Sequence, residues 1–74
     1  METSTNSTMT ARVLDRRCGS LLVCDQCGGQ EVLVHSGEAR CFSPGDWVCI
    51  RYSGAMTRSI PPQISAFSIT CLSR

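Results

Sequence analysis

Residues 43–52 read Ser43-Pro44-Gly45-Asp46-Trp47-Val48-Cys49-Ile50-Arg51-Tyr52. The first four predict a tight turn, because proline presets the backbone angle of a turn and glycine adopts conformations that other residues avoid. In the next six, Val48, Ile50 and Tyr52 alternate with residues of the opposite face, which is the pattern of a β-strand that buries one side. The stretch therefore predicts a turn followed by a half-buried strand.

Short apolar runs separated by Gly, Pro, Asp and Ser recur about every ten residues on both sides of this stretch, and no helix of useful length fits between them. The predicted strands are residues 11–16, 20–25, 30–35, 47–52 and 63–71. Five short strands at this spacing are typical of an all-β domain. We predict a small five-stranded barrel like the oligonucleotide- and oligosaccharide-binding (OB) barrels, with an SH3-like barrel or a small β-sandwich as alternatives.

Strand periodicity also predicts which side chains face the core. The inward set is Leu21, Val23, Val32, Val34, Val48, Ile50 and Tyr52. The outward set is Leu22, Cys24, Leu33, Trp47, Cys49 and Arg51.

The chain has 74 residues, which excludes a two-domain enzyme or a large α/β fold. Residues 1–10 consist mostly of Ser, Thr and Asn, so we predict a disordered tail followed by one domain over residues 11–74. The N-terminus lacks the basic and apolar regions of a secretory signal, and no apolar run could span a bilayer. We therefore expect a cytoplasmic protein.

All seven basic residues are arginines, and they are offset by six acidic residues to a net charge of +1. The absence of lysine excludes Schiff-base and lysine-nucleophile chemistry. The arginines are dispersed apart from the pair Arg16-Arg17, so nucleic acid is a disfavoured partner. The carboxylates are scattered and the one histidine, His35, has no evident nucleophile beside it, so we predict that the protein is not an enzyme.

Residues 45–66 carry a pattern that can be written G-D-x-V-x-I-x-Y, a short loop, and S-x-P-x-Q-I-x-A. In this pattern the chain resembles short uncharacterised bacterial proteins with an OB-like β-barrel, a domain of unknown function. The resemblance implies the barrel fold. It implies no reaction and no catalytic residue, because these families share none.

Six cysteines in a chain of this size are the sharpest chemical signal. Cys24 and Cys27 are spaced as in one half of a zinc ribbon, so zinc is the candidate cofactor and these two residues are the candidate ligands. A second arrangement would gather Cys18, Cys41, Cys71 and His35 into one site. A redox role for the C-x-x-C pair is weaker, since it is predicted in a turn and not at a helix start. The remaining alternative is that the thiols act as small apolar side chains.

The candidate binding residues are Trp47 and Arg51, on the outward side of one strand, and Met56 and Arg58, in the loop over residues 53–62. An exposed aromatic beside a guanidinium can stack on a base, a sugar or a partner's side chain. The alternatives are structural: Trp47 packs in the core, and Ile60 or Met56 plugs one end of the barrel.

Together these observations predict a small non-enzymatic binding or interaction module for a protein or a small ligand, with a structural metal as an optional addition. A zinc- or redox-responsive cysteine protein is the first alternative. Single-stranded nucleic-acid binding is the second.

Overall fold

The computed structural model describes residues 6–53 and 57–73 of the chain and contains five β-strands. These are β1 (Asn6–Arg17), β2 (Ser20–Asp25), β3 (Glu31–His35), β4 (Trp47–Ser53) and β5 (Gln63–Ser73). A three-residue 3-10 turn, Ala39–Cys41, precedes β4. Over this part of the chain, no helix is long and apolar enough to cross a membrane.

The strands form a closed barrel in the order β1-β2-β3-β5-β4, and β4 pairs back onto β1. All pairs are antiparallel except β3 with β5, which run parallel. The predicted five-stranded barrel is therefore confirmed. The predicted strand limits are close to the observed ones for β2 to β5, because turn residues end each of those strands.

The first strand closes the barrel because it is long enough to pair with two neighbours. Residues 6–12 pair with β4, and residues 11–17 pair with β2. The register shifts between Val13 and Asp15, where a bulge places an extra residue in β1. Bulges bend a strand and increase its twist, which lets one strand pass from one neighbour to the other.

The interior of the barrel is filled by apolar side chains that alternate along the strands. The buried set is Met9, Ala11, Val13, Leu21, Val23, Val32, Val34, Ala39, Phe42, Val48, Ile50, Ile64 and Ile69. Every residue predicted to face inward belongs to this set except Tyr52, which is half-buried and packs against it. Ala39 and Phe42 come from the 3-10 turn and the residue after it, and they join the same core.

The turn before β4 is fastened to β1. Gly45 has a φ of +96°, which a residue with a side chain rarely adopts, and its N–H donates to the Val13 carbonyl at 2.8 Å. Val13 in return donates its N–H to the Asp46 carbonyl at 2.9 Å. The buried Asp46 carboxylate accepts the Ser43 N–H at 3.0 Å. These bonds fix where β4 begins and so which of its residues face the core.

The predicted tail is wrong for residues 6–10. They belong to β1, and Met9 lies opposite Ile50 with only 6% of its surface exposed. The polar composition of residues 6–10 led to the wrong prediction, because threonine is rare in cores but common in strands, where its side chain suits a solvated face. Residues 1–5 lie outside the described residues.

We expect Met9→Ala to lower the free energy of unfolding by about 2 kcal/mol or more, because the substitution leaves a cavity in the barrel interior. The control is Leu14→Ala in the same strand, where 39% of the side chain is already exposed. That change should cost clearly less. Urea unfolding followed by circular dichroism measures both, and equal effects would mean that the start of β1 contributes little to the core.

Candidate functional site

The outer surface of β4 carries the two predicted binding residues of that strand. Trp47 lies opposite Arg12 of β1, and Arg51 lies opposite Thr8. Cys49 stands between them and pairs with Thr10 on one side and Thr70 on the other. We call the outward side chains of this region the Trp47–Arg51 face. Its members are Thr8, Thr10, Arg12, Trp47, Cys49, Arg51, Phe67, Thr70 and Leu72.

Arg51 stacks on an exposed aromatic ring that the sequence did not point to. Its guanidinium carbon lies 5.3 Å from the centre of the Phe67 ring, and 52% of Phe67 remains exposed. Such a cation–π contact at the surface stabilises by about 0.5–1 kcal/mol and holds the guanidinium in place. The register of β5 shifts beside Arg51, so that Phe67 is the extra residue of a bulge. Simple alternation along β5 therefore could not have placed it.

Trp47 lines a groove of about 280 Å³ at the other end of the face. The groove residues are Arg12, Leu14, Cys24, Asp25, Gln26, Gly29 and Trp47. Trp47 is half-buried, so it is neither a core residue nor fully open to solvent. Arg51 follows it by four positions, which corresponds to about 13 Å along a strand. The face therefore offers two contact points, an aromatic groove and an arginine over a ring.

Of the two loop candidates, the structure describes Arg58, which does not join this face. Arg58 is exposed and lines a groove of about 750 Å³ with Gln30, Glu31 and residues 57–62, whereas Met56 lies outside the described residues. Thr57 and Gln63 close the loop on itself: Thr57 donates its N–H to the Gln63 carbonyl at 3.0 Å, and Gln63 donates its N–H to the Thr57 hydroxyl at 2.9 Å.

The prediction that Ile60 could plug the barrel end is wrong. Its side chain is fully exposed. The loop closes on itself through the bonds of Thr57 and Gln63, so it turns Ile60 away from the core. Ala39 and Phe42, in the connection between β3 and β4, are the loop residues that do join the core.

Cys24 and Cys27 lie next to different grooves. Cys24 is half-buried in the Trp47 groove, whereas Cys27 is exposed and lines a groove with Thr8, Met9, Thr10 and Tyr52. In a zinc knuckle the N–H groups of the turn point at sulfur. Here the Cys27 N–H donates to the Asp25 carboxylate at 3.1 Å and the Gly29 N–H donates to the Asp25 carbonyl at 2.8 Å. Asp25, and not a sulfur, organises this turn.

All six cysteines are free thiols, and in the described ranges no three His, Cys, Asp or Glu side chains converge as metal ligands do. The predicted site of Cys18, Cys41, Cys71 and His35 is therefore wrong. These residues sit on separate elements, and His35 is engaged elsewhere, with its Nε2 2.8 Å from the Gln63 amide oxygen. Within residues 6–53 and 57–73, Cys24 and Cys27 are left as a pair without a third ligand.

Comparison with protein-family models, with curated proteins and with solved structures gives no match to this chain. The resemblance of residues 45–66 to uncharacterised bacterial barrels stays a prediction.

We expect the double variant Cys24→Ser/Cys27→Ser to keep the thermal unfolding midpoint of the parent protein within a few degrees. Cys27 is exposed, and the one polar contact of the Cys24 thiol is a weak one of 3.9 Å to the Asp25 carbonyl. The control is Asp25→Ala, which removes the carboxylate that accepts the Cys27 N–H and should cost about 1 kcal/mol.

Native mass spectrometry of the same samples completes this test. The contrary result is a serine variant that loses a metal held by the parent protein and unfolds at a much lower temperature. That result would mean that Cys24 and Cys27 bind a metal and that metal binding is the function.

Proposed function

We propose that this protein is a small non-enzymatic binding module, and that its Trp47–Arg51 face binds an acidic, partly apolar segment of a partner protein. The observation that carries the proposal is the charge of this surface. Residues 6–12, 47–53 and 63–73, which form the face, contain two arginines, Arg12 and Arg51, and no carboxylate. A surface that combines cationic and apolar groups is complementary to a partner that alternates acidic and apolar side chains.

The packed interior supports binding on the outer surface. Leu21, Val23, Val32, Val34 and Val48 are fully buried across the barrel, and side chains fill an interior of this size. In the barrel, β5 lies between β3 and β4, and this strand order supports the prediction of an OB-like barrel. Barrels of that type bind their ligands on an outer surface formed by their second and third strands and the adjoining loops, whereas the cationic and apolar groups here lie on β1, β4 and β5.

Exposed apolar groups on the face support a protein partner. Phe67 and Leu72 are each more than half exposed. Both belong to β5, which lies beside β4 and its Arg51. Aromatic and arginine side chains are enriched at the centres of protein interfaces, where a few of them supply most of the binding energy. Arg51 is held on Phe67 before any partner arrives, so less side-chain entropy is lost on binding.

Nucleic acid fits the same face less well. Single-strand binders combine several stacking aromatics with a continuous basic groove. On this face the space between the two aromatics is occupied by Cys49, with Thr10 and Thr70 on either side. Asp25 borders the Trp47 groove, so we expect the acidic side chains of a partner at the Arg51 end of the face. These features favour the protein partner over the single strand.

The test uses a fluorescein-labelled peptide of alternating Glu and Leu as the probe and fluorescence anisotropy as the measurement. We expect binding that weakens about tenfold in Arg51→Gln, which loses one charge and the contact with Phe67. The matched control is Arg17→Gln, which removes one exposed arginine from outside the face. It should leave the affinity unchanged.

Two further probes decide the class of partner. A peptide with Lys in place of Glu should not bind, because its charge matches that of the face. If oligothymidylate binds more tightly than the acidic peptide, and Arg51→Gln weakens that binding, the proposal of a protein partner is overturned in favour of nucleic acid. If Arg51→Gln and the parent protein bind the peptide with equal affinity, the Trp47–Arg51 face is not the binding site.

A further inference from the structure

Another concave surface lies between the β1–β2 turn and the 3-10 turn. This cleft has a volume of about 490 Å³, within the range of small-molecule sites. Its lining residues are Arg16, Arg17, Cys18, Gly19, Gly37, Ala39 and Arg40. Three of the seven arginines of the chain therefore meet at one cleft, although the sequence shows only the pair Arg16-Arg17. Arg40 joins them through the fold.

The two walls of this arginine cleft are tied together by hydrogen bonds. A guanidinium nitrogen of Arg16, Nη1, donates to the Arg40 carbonyl at 3.2 Å. The Ser36 N–H donates to the Gly19 carbonyl at 3.1 Å and so joins the β1–β2 turn to the segment after β3. Ser36 also accepts the Glu38 N–H on its hydroxyl at 3.0 Å. The cleft is thus formed before a ligand binds, which reduces the entropy lost on binding.

The positive charge of the cleft is only partly neutralised. Arg17 pairs with Asp15 at 3.5 Å, and both side chains are more than half exposed, so the pair is weak. In the ranges 6–53 and 57–73 this is the one ion pair, and Arg16 and Arg40 have no carboxylate within 4.0 Å. Glu38, in the same connection, is exposed. Two guanidiniums are therefore available to an anion.

Two glycines keep the cleft open. A β-carbon added to Gly19 or to Gly37 would meet no atom within 4 Å, so no side chain occupies the space above either residue. A ligand can approach the backbone there. Gly19 has a φ of +75° and is required by the turn, whereas Gly37 has no positive φ, which makes Gly37 a position where a side chain can be introduced without strain.

We propose that the arginine cleft binds the phosphate group of a small phosphorylated ligand, with Arg16 and Arg40 as the principal contacts and Arg17 at the rim. Planar guanidiniums present paired N–H donors that match the oxygens of a phosphate, and such charge-assisted bonds are stronger than neutral ones. Several guanidiniums around one cleft suit a group with more than one negative charge. This inference is independent of the Trp47–Arg51 face, because the two surfaces share no residue.

The probe is inorganic pyrophosphate, titrated into the full-length protein at constant ionic strength and followed by two-dimensional nitrogen–proton NMR. We expect saturable shifts of the Gly19 and Gly37 amide signals. The variant Arg16→Gln/Arg40→Gln should bind pyrophosphate at least about tenfold more weakly, because two charge-assisted contacts are lost. Arg58→Gln removes one exposed arginine that belongs to neither surface and is the control, with unchanged affinity.

A second variant tests the cleft without removing an arginine. Gly37→Glu places a carboxylate in the open space and should abolish the pyrophosphate shifts while the rest of the spectrum stays as in the parent protein. Succinate at the same ionic strength distinguishes phosphate from a dicarboxylate, and equal or tighter binding of succinate would overturn the phosphate assignment. Non-saturable shifts, or shifts that persist in both variants, would overturn the site itself.

Discussion

Closure of the barrel is the constraint on which the rest of this structure depends. A chain of 74 residues has little surface to bury, and five strands can enclose one apolar interior only if the first and the fourth meet. That meeting requires β1 to be 12 residues long and to bend at the bulge after Val13. It also requires β4 to begin at a fixed point, which the bonds of Gly45 and Asp46 to Val13 provide. Each of the five described strands is therefore paired with a neighbour on both sides over at least part of its length.

A closed and filled barrel leaves its outer surface and the turns between its strands as the places where a ligand can bind. Among the described residues, the arginines and Phe67 lie on the outer surface of the strands and in the connections between them, where they form separate surfaces. On one surface Arg51 lies over Phe67 beside the Trp47 groove. On the other, Arg16 and Arg40 line a cleft between two turns, and the Arg16 guanidinium donates to the Arg40 carbonyl. The first suits a broad partner and the second a compact anion, because the first is extended and partly apolar while the second is concave and cationic.

The cysteines, which are the most conspicuous feature of the composition, are spread over this surface. Cys18, Cys27 and Cys41 are exposed, and Cys24, Cys49 and Cys71 are half-buried. In a barrel this small, neighbouring side chains point alternately inward and outward, so residues that are close in sequence reach different grooves. The C-x-x-C spacing indicates metal binding only when the turn aims both sulfurs at one point. Here the turn is organised by Asp25.

The sequence by itself determined the fold class, the positions of β2 to β5 and six of the seven inward side chains, because a strand's period of two and the turn residues are local properties. It also determined that Trp47 and Arg51 share one face. It failed at residues 6–10, whose polar composition outweighed the one buried residue, Met9. The tertiary structure alone decided that Phe67 lies under Arg51 and that Arg40 joins Arg16. Both contacts join distant parts of the chain through a bulge or a turn, and no local pattern records where a closed barrel brings such segments together.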